Sequence, residues 1–235
     1  MSPVRVLAMD GPAAAGKSST ARAVAERLGF FYVDTGAMYR AVALQALRAG
    51  VPQDDEERLL ELLAGTRLDF DAAGRLFADG EDVTDAIRSP EASKSASVIA
   101  AHGRLREQLV EMQRALARSL GSVVMEGRDI GTVVWPESPI KIFLQADLEE
   151  RARRRIRQQG LVPTRSELTR VMQAIRERDA SDEGRAEGPL RAAEDAVRVD
   201  TTGLSFDTQL ERVLAAVRER WPAAWGPFPG DGPRP

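Results

Sequence analysis

Apolar residues in this chain come in short solid blocks separated by helical-looking stretches. Val4-Arg5-Val6-Leu7-Ala8-Met9 is almost wholly apolar and stops at Asp10-Gly11-Pro12, which reads as a buried strand running into a turn. From Lys17 onward, Ala21, Val24, Ala25 and Leu28 recur at helical spacing until Gly29 ends the run. Residues 30–33 then read as a second strand. Further strands are predicted at 122–125, 140–145 and 196–199, with Leu105, Leu109, Met112, Leu116 and Leu120 marking one face of an intervening helix. Strands that are apolar on both faces and alternate with helices predict an α/β fold with a central parallel sheet flanked by helices.

Two stretches break this rhythm. Residues 66–85 carry Leu68-Asp69-Phe70, Gly74, Arg75-Leu76-Phe77 and Asp79-Gly80, the turn signals of a small antiparallel meander. Residues 149–165 are dominated by Arg151, Arg153, Arg154, Arg155 and Arg157 and then reach Gln158-Gln159-Gly160, a basic helix leading into a loop. From Pro222 to Pro235 the chain is rich in Pro and Gly and shows no periodic apolar face, so this tail is expected to be disordered.

Composition narrows the chemistry. The chain has 235 residues and a formal charge of -3, which gives no global attraction to nucleic acid or to an anionic membrane. Of its 33 basic residues only Lys17, Lys94 and Lys141 are lysines, so positive charge is mostly of the planar, bidentate kind that suits phosphates. There is no cysteine, which rules out disulfides, thiolate catalysis and Cys-ligated metals. The single histidine, His102, cannot build a His-rich metal site, and a structural or solvent-facing place is expected for it. No apolar run approaches the roughly 18 residues a membrane span needs, and the N-terminus lacks a signal-like pattern. A cytoplasmic monomer is the expectation.

Gly11-Pro12-Ala13-Ala14-Ala15-Gly16-Lys17-Ser18 fits G-x-x-x-x-G-K-[ST] in full, between a predicted strand and a predicted helix. That context is what the mechanism requires. Backbone N–H groups of the loop turn inward on phosphate, and the helix start adds its positive end. Lys17 can reach the outer phosphates, while Ser18 or Ser19 offers a hydroxyl to Mg²⁺. Residues 11–19 are thus the expected ATP site, but the motif is silent about the acceptor.

Three other clusters address the acceptor. Asp34-Thr35-Gly36-Ala37-Met38-Tyr39-Arg40 and Glu126-Gly127-Arg128-Asp129-Ile130-Gly131-Thr132 both follow predicted strands, where open sheets bind ligands. Arg176-Glu177-Arg178-Asp179-Ala180-Ser181-Asp182-Glu183-Gly184-Arg185 follows an amphipathic stretch. In this order and spacing, with Gly80-Glu81-Asp82-Val83-Thr84, Ile87-Arg88-Ser89-Pro90-Glu91 and Pro189-Leu190, the chain resembles bacterial cytidylate kinases over roughly residues 4–218. Glu126 stands where that family often has Asp, and Ala14-Ala15 replace a more glycine-rich loop.

The resemblance implies a P-loop kinase core with an acceptor-binding insertion and a short arginine-rich lid. One domain then spans 1–221, with core about 1–37, 98–148 and 166–221, insertion about 38–97 and lid about 149–165, followed by the tail 222–235. It further implies that Thr35, Arg40, Arg128 and Arg185 hold the acceptor phosphate, and that Ser97, Arg106 and Asp129 recognise cytosine. Arg178 and Asp182 match residues near the sugar and phosphate. The implied reaction is ATP plus CMP or dCMP with Mg²⁺, with Lys17, Arg128 and the lid residues Arg154 and Arg157 as candidates around the transferring group. Cytosine recognition suits these residue types, since a carboxylate accepts from the exocyclic amine while Arg and Ser donate to the ring acceptors. A kinase for shikimate or AMP would share only the phosphate loop. A GTPase would carry an Asn-Lys-x-Asp motif, and none occurs.

Overall fold

The computed structural model describes residues 4–71 and 73–229. Five strands, β1 (Arg5–Asp10), β2 (Phe31–Asp34), β6 (Ser122–Glu126), β7 (Ile140–Gln145) and β8 (Val197–Asp200), form one parallel sheet in the order β2-β6-β1-β7-β8. Each predicted core strand is present, shifted by a residue or less at most ends. A second sheet of β3 (Leu68–Phe70), β4 (Leu76–Ala78) and β5 (Glu81–Asp82) is the antiparallel meander expected at 66–85.

Helices cover both faces of the parallel sheet, which explains why its strands are apolar on both sides. On one face α1 (Lys17–Leu28) and α8 (Phe206–Glu219) bury Ala21, Val24, Val213 and Val217 against Leu7, Met9, Ile142 and Leu144. On the other, α5 (Gly103–Leu120) sets Val110 and Ala117 against Val6, Ala8, Val123 and Met125. The insertion packs separately, as α2 (Thr35–Ala49), α3 (Glu56–Gly65) and α4 (Pro90–Ile99) gather Met38, Val42, Leu59, Leu63 and Ile99 around Leu105 and Leu109. His102 sits at the N-cap of α5 with its Nε2 2.7 Å from the Gln53 carbonyl, a structural place.

The basic stretch forms α6 (Leu148–Gln158), which returns through residues 159–164 into the long α7 (Arg165–Glu183). Ala152 and Ile156 of α6 and Val171 and Ile175 of α7 pack together with Ala13 of the phosphate loop. These two helices therefore lean directly on the loop.

The tail departs from expectation. Ala223–Trp225 forms a turn of 3₁₀ helix, and Trp225 is only 8% exposed. Its ring lies 5.2 Å from Trp221 and 6.0 Å from Phe30, and Trp221 is also 5.1 Å from Phe228. Aromatic rings bury enough area to order a Pro- and Gly-rich segment that has no helical period. The rest of the expected disordered tail, residues 230–235, lies outside the described residues.

Candidate active site

The segments that carry the phosphate loop, Thr35 and Arg128 leave the C-terminal ends of β1, β2 and β6, so neighbouring strands bring Asp10, Asp34 and Glu126 to one edge of the sheet. At the end of β1, Gly11 has φ 148°, and a Cβ there would lie 2.1 Å from the Leu144 carbonyl oxygen. Only glycine lets the loop pass β7 this closely. Ala14 takes the left-handed conformation at φ 60°, and Gly16 follows at φ 92°. The N-terminus of α1 has no capping side chain and no acid in its first turn, so its N–H groups are left for an anion. The other end of the edge contrasts with this, for Asp34 caps α2 by accepting from Ala37 N–H at 2.9 Å.

Lys17 is buried and folds back to donate to the Pro12 carbonyl at 2.8 Å. Burial, reinforced by the nearby Arg128 charge, pulls its ammonium down to about 7. A bound polyphosphate would reverse that by pairing with it. Ser18 is exposed, whereas Ser19 turns its hydroxyl back to the Gly16 carbonyl at 3.0 Å. Burial and the Asp34 charge push the Glu126 carboxyl up, and Tyr32 donates its hydroxyl to it. Asp10 is pushed up to about 7 by burial, although it accepts from Ile130 N–H and Gly131 N–H at 2.8 Å each. Those two bonds pin the loop bearing Arg128 and Asp129 to the end of β1.

On the acceptor side the arginines meet carboxylates. Arg40 donates to Asp34 at 2.7 Å, and Arg128 donates through Nε to Asp182 at 2.7 Å. Asp182 also receives Arg185, and burial, which would raise its carboxyl, is outweighed by these two guanidinium charges. Thr35 donates to the Glu126 carbonyl at 2.7 Å, tying the two loops together. Arg178 has a buried Nε with no partner, and burial with the Arg128 charge pulls its guanidinium down to about 10.

The candidate base readers are also joined. Arg106 and Asp129 form a buried ion pair, with the Arg106 guanidinium 5.5 Å above the Tyr39 ring and the Gly188 backbone close against the pair. Ser97 is half-buried on α4 and bonds the Ser93 carbonyl of its own helix at 3.3 Å.

The arginines of α6 divide. Arg154 reaches the phosphate loop from behind, donating to Ala15 O at 3.3 Å and to Thr201 Oγ1 and O at 2.9 and 2.6 Å. Arg157 is placed on the outside, 62% exposed, with Nε on Arg153 O and the guanidinium 3.5 Å from Glu150. Arg155 of the same helix adds its charge to those that lower the Arg178 guanidinium, after burial and Arg128.

A family model described as "Cytidylate kinase" matches residues 7–219. The chain belongs to the cytidylate kinase family. A cytidylate kinase of Desulfitobacterium hafniense is 50% identical over 219 residues, covering 91% of this chain and 93% of that protein. One of Pelotomaculum thermopropionicum is 50% identical over 215 residues, covering 90% and 95%, and one of Geobacter sulfurreducens 45% over 218, covering 92% and 93%. Among solved structures, an uncharacterized protein from Eubacterium ventriosum superposes with a TM-score of 0.50 at 11% identity, covering 91% of this chain and 98% of that one. This last likeness concerns the fold alone.

In this member of the cytidylate kinase family, two site residues escaped the sequence reading. Asp10 appeared there only as a strand end, and Asp179 only as one charge in a run. A carboxylate directly before the phosphate loop was the available signal for the first; nothing local distinguished the second.

Proposed function

We propose that this protein transfers the γ-phosphoryl group of ATP to CMP or dCMP, giving ADP and the cytidine diphosphate. The observation that carries the reading is the convergence of an uncapped phosphate-loop helix with Arg40, Arg128, Arg178 and Arg185 and the buried Arg106–Asp129 pair. The phosphate loop and Lys17 hold the donor. The acceptor phosphate is already largely dianionic, its second pKa being about 6, so its oxygen needs no general base to attack. Catalysis comes from alignment and from cations around the transferring group.

The oxygen donors Ser18 Oγ and Glu126 suit Mg²⁺, which would neutralise the outer phosphates. Among the described residues no group of three or more acidic or His side chains could hold a metal alone, which fits an ion bound partly by nucleotide. The arginines of the acceptor side exchange Asp partners for the incoming phosphate, and Arg178 is the one already waiting for an anion. Asp129 accepts from the cytosine amine and Arg106 donates to the ring, with Ser97 supporting from α4. Uracil would set a carbonyl against the Asp129 carboxylate, an arrangement worth several kcal/mol of rejection in a dry site.

Arg154 acts by holding the loop, and Arg157 would need α6 to turn before it touched a phosphate. The working form is proposed to be a cytoplasmic monomer acting on free nucleotides rather than nucleic acid. No helix among the described residues is long and apolar enough to cross a membrane. Turnover with CMP, dCMP, UMP and AMP in parallel tests the assignment. CMP and dCMP are expected to lead, and equal use of all four would overturn it.

A further inference from the structure

One residue of the phosphate loop has both backbone polar groups held by side chains from α6 and α7. Ala13 N–H donates to Asp179 Oδ1 at 2.9 Å, and Ala13 O accepts from Arg151 Nη1 at 3.1 Å. Arg151 and Asp179 are themselves ion-paired, each side chain 11% exposed, and Arg151 Nε is anchored on Ala146 O at 3.0 Å. Asp179 lies on α7 between Arg178 and Asp182, and Asp182 holds Arg128 and Arg185. A single helical turn thus grips the donor loop with one carboxylate and organises the acceptor arginines with the next.

We infer that Asp179, oriented by Arg151, is a positioning residue that keeps the phosphate loop in register with the acceptor arginines. In-line transfer is sensitive to sub-ångström placement of donor and acceptor, and a loop held only by its own turns would not supply that. Ala14, next in the chain, is in the left-handed region, and such a conformation persists where its surroundings over-determine it. Fixing both polar groups of Ala13 supplies that constraint. The inference rests on the phosphoryl-transfer reading above.

A buried ion pair can be exchanged for apolar residues of similar volume without loss of stability, and this separates positioning from mere packing. The test is the double variant Arg151→Met with Asp179→Leu, measured for melting temperature, equilibrium affinity for ATP with Mg²⁺, affinity for CMP, and kcat. The expected result is a protein that still folds, with a melting temperature lower by several degrees because Ala13 N–H and O lose their side-chain partners, ATP affinity and kcat each lower by about 10-fold or more, and CMP affinity within about twofold. A double variant with ATP affinity and kcat near wild type would overturn the inference. Should it not fold, Asp179→Asn keeps an acceptor for Ala13 N–H but loses the ion pair. It is expected to weaken ATP by about threefold or more with CMP unchanged, and equal effects on both ligands, or none, would overturn the inference. Because ATP binding is read directly, a wild-type protein that bound ATP yet phosphorylated no cytidine nucleotide would defeat the proposed function without touching this comparison.

Discussion

Positive potential is made in two ways at the two ends of this site. At the phosphate-loop end it comes from the start of α1, which no side chain caps, and from the buried Lys17 ammonium, which rests on the Pro12 carbonyl. At the other end it comes from guanidinium groups on α2, α5 and α7 and on the segments that follow β6 and α7, most of them already paired with Asp34, Asp129 or Asp182. On the proposed function the phosphate-loop end is shaped before ligand arrives, while the arginine end would trade ion partners for the acceptor phosphate. Backbone donors cost no side-chain entropy to aim, whereas arginines do, and the aspartates hold them in place meanwhile.

The sharpest break in that comparison is Lys17→Ala. It removes the ammonium carried by the phosphate loop itself, and kcat is expected to fall by about 10³-fold or more with CMP affinity nearly unchanged. Near-native turnover in direct assay would show that the phosphate loop does not serve the donor. Arg128→Ala and Arg40→Ala probe the other end. Each should cost roughly 2–5 kcal/mol in kcat/KM for CMP and leave KM for ATP largely alone. Arg128→Ala should be the more severe, because it strips Asp182, 3% exposed, of one of its two cations. Steady-state kinetics with each substrate varied in turn decide this.

Base reading is a finer effect. Asp129→Asn removes the carboxylate and presents an N–H₂ that can serve a carbonyl. The preference for CMP over UMP is expected to narrow by one or two orders of magnitude, about 1–3 kcal/mol. If both efficiencies fall together at a constant ratio, Asp129 serves only to hold Arg106. Trp225→Ala gives the reference point away from both ends. Losing that ring from its contacts with Phe30 and Trp221 should cost about 2 kcal/mol, seen as a melting temperature lower by several degrees with both Michaelis constants unchanged.

What the sequence determined by itself is local. The phosphate loop was legible because its chemistry is a matter of spacing between backbone groups, and the glycines at 11 and 16 sit where φ is positive. The parallel sheet was legible because strands buried on both faces must be apolar throughout, and the antiparallel insertion because turn residues punctuate it. Tertiary structure decided which charges meet. Nothing near Arg128 in the chain points to Asp182, 54 residues later, nor near Ala13 to Asp179, 166 residues later. It also divided the arginines of α6, since the three residues from Arg154 to Arg157 add a rise of about 4.5 Å and leave the side chains about 60° apart, with Arg154 under the loop and Arg157 in solvent. The tail shows the same limit from the opposite side. Its composition resembles a disordered segment, but Trp225 finds Phe30 and Trp221 only once the end of α8 and the turn after α1 have been folded together. Contacts made across the fold leave no period in the chain for a sequence reading to find.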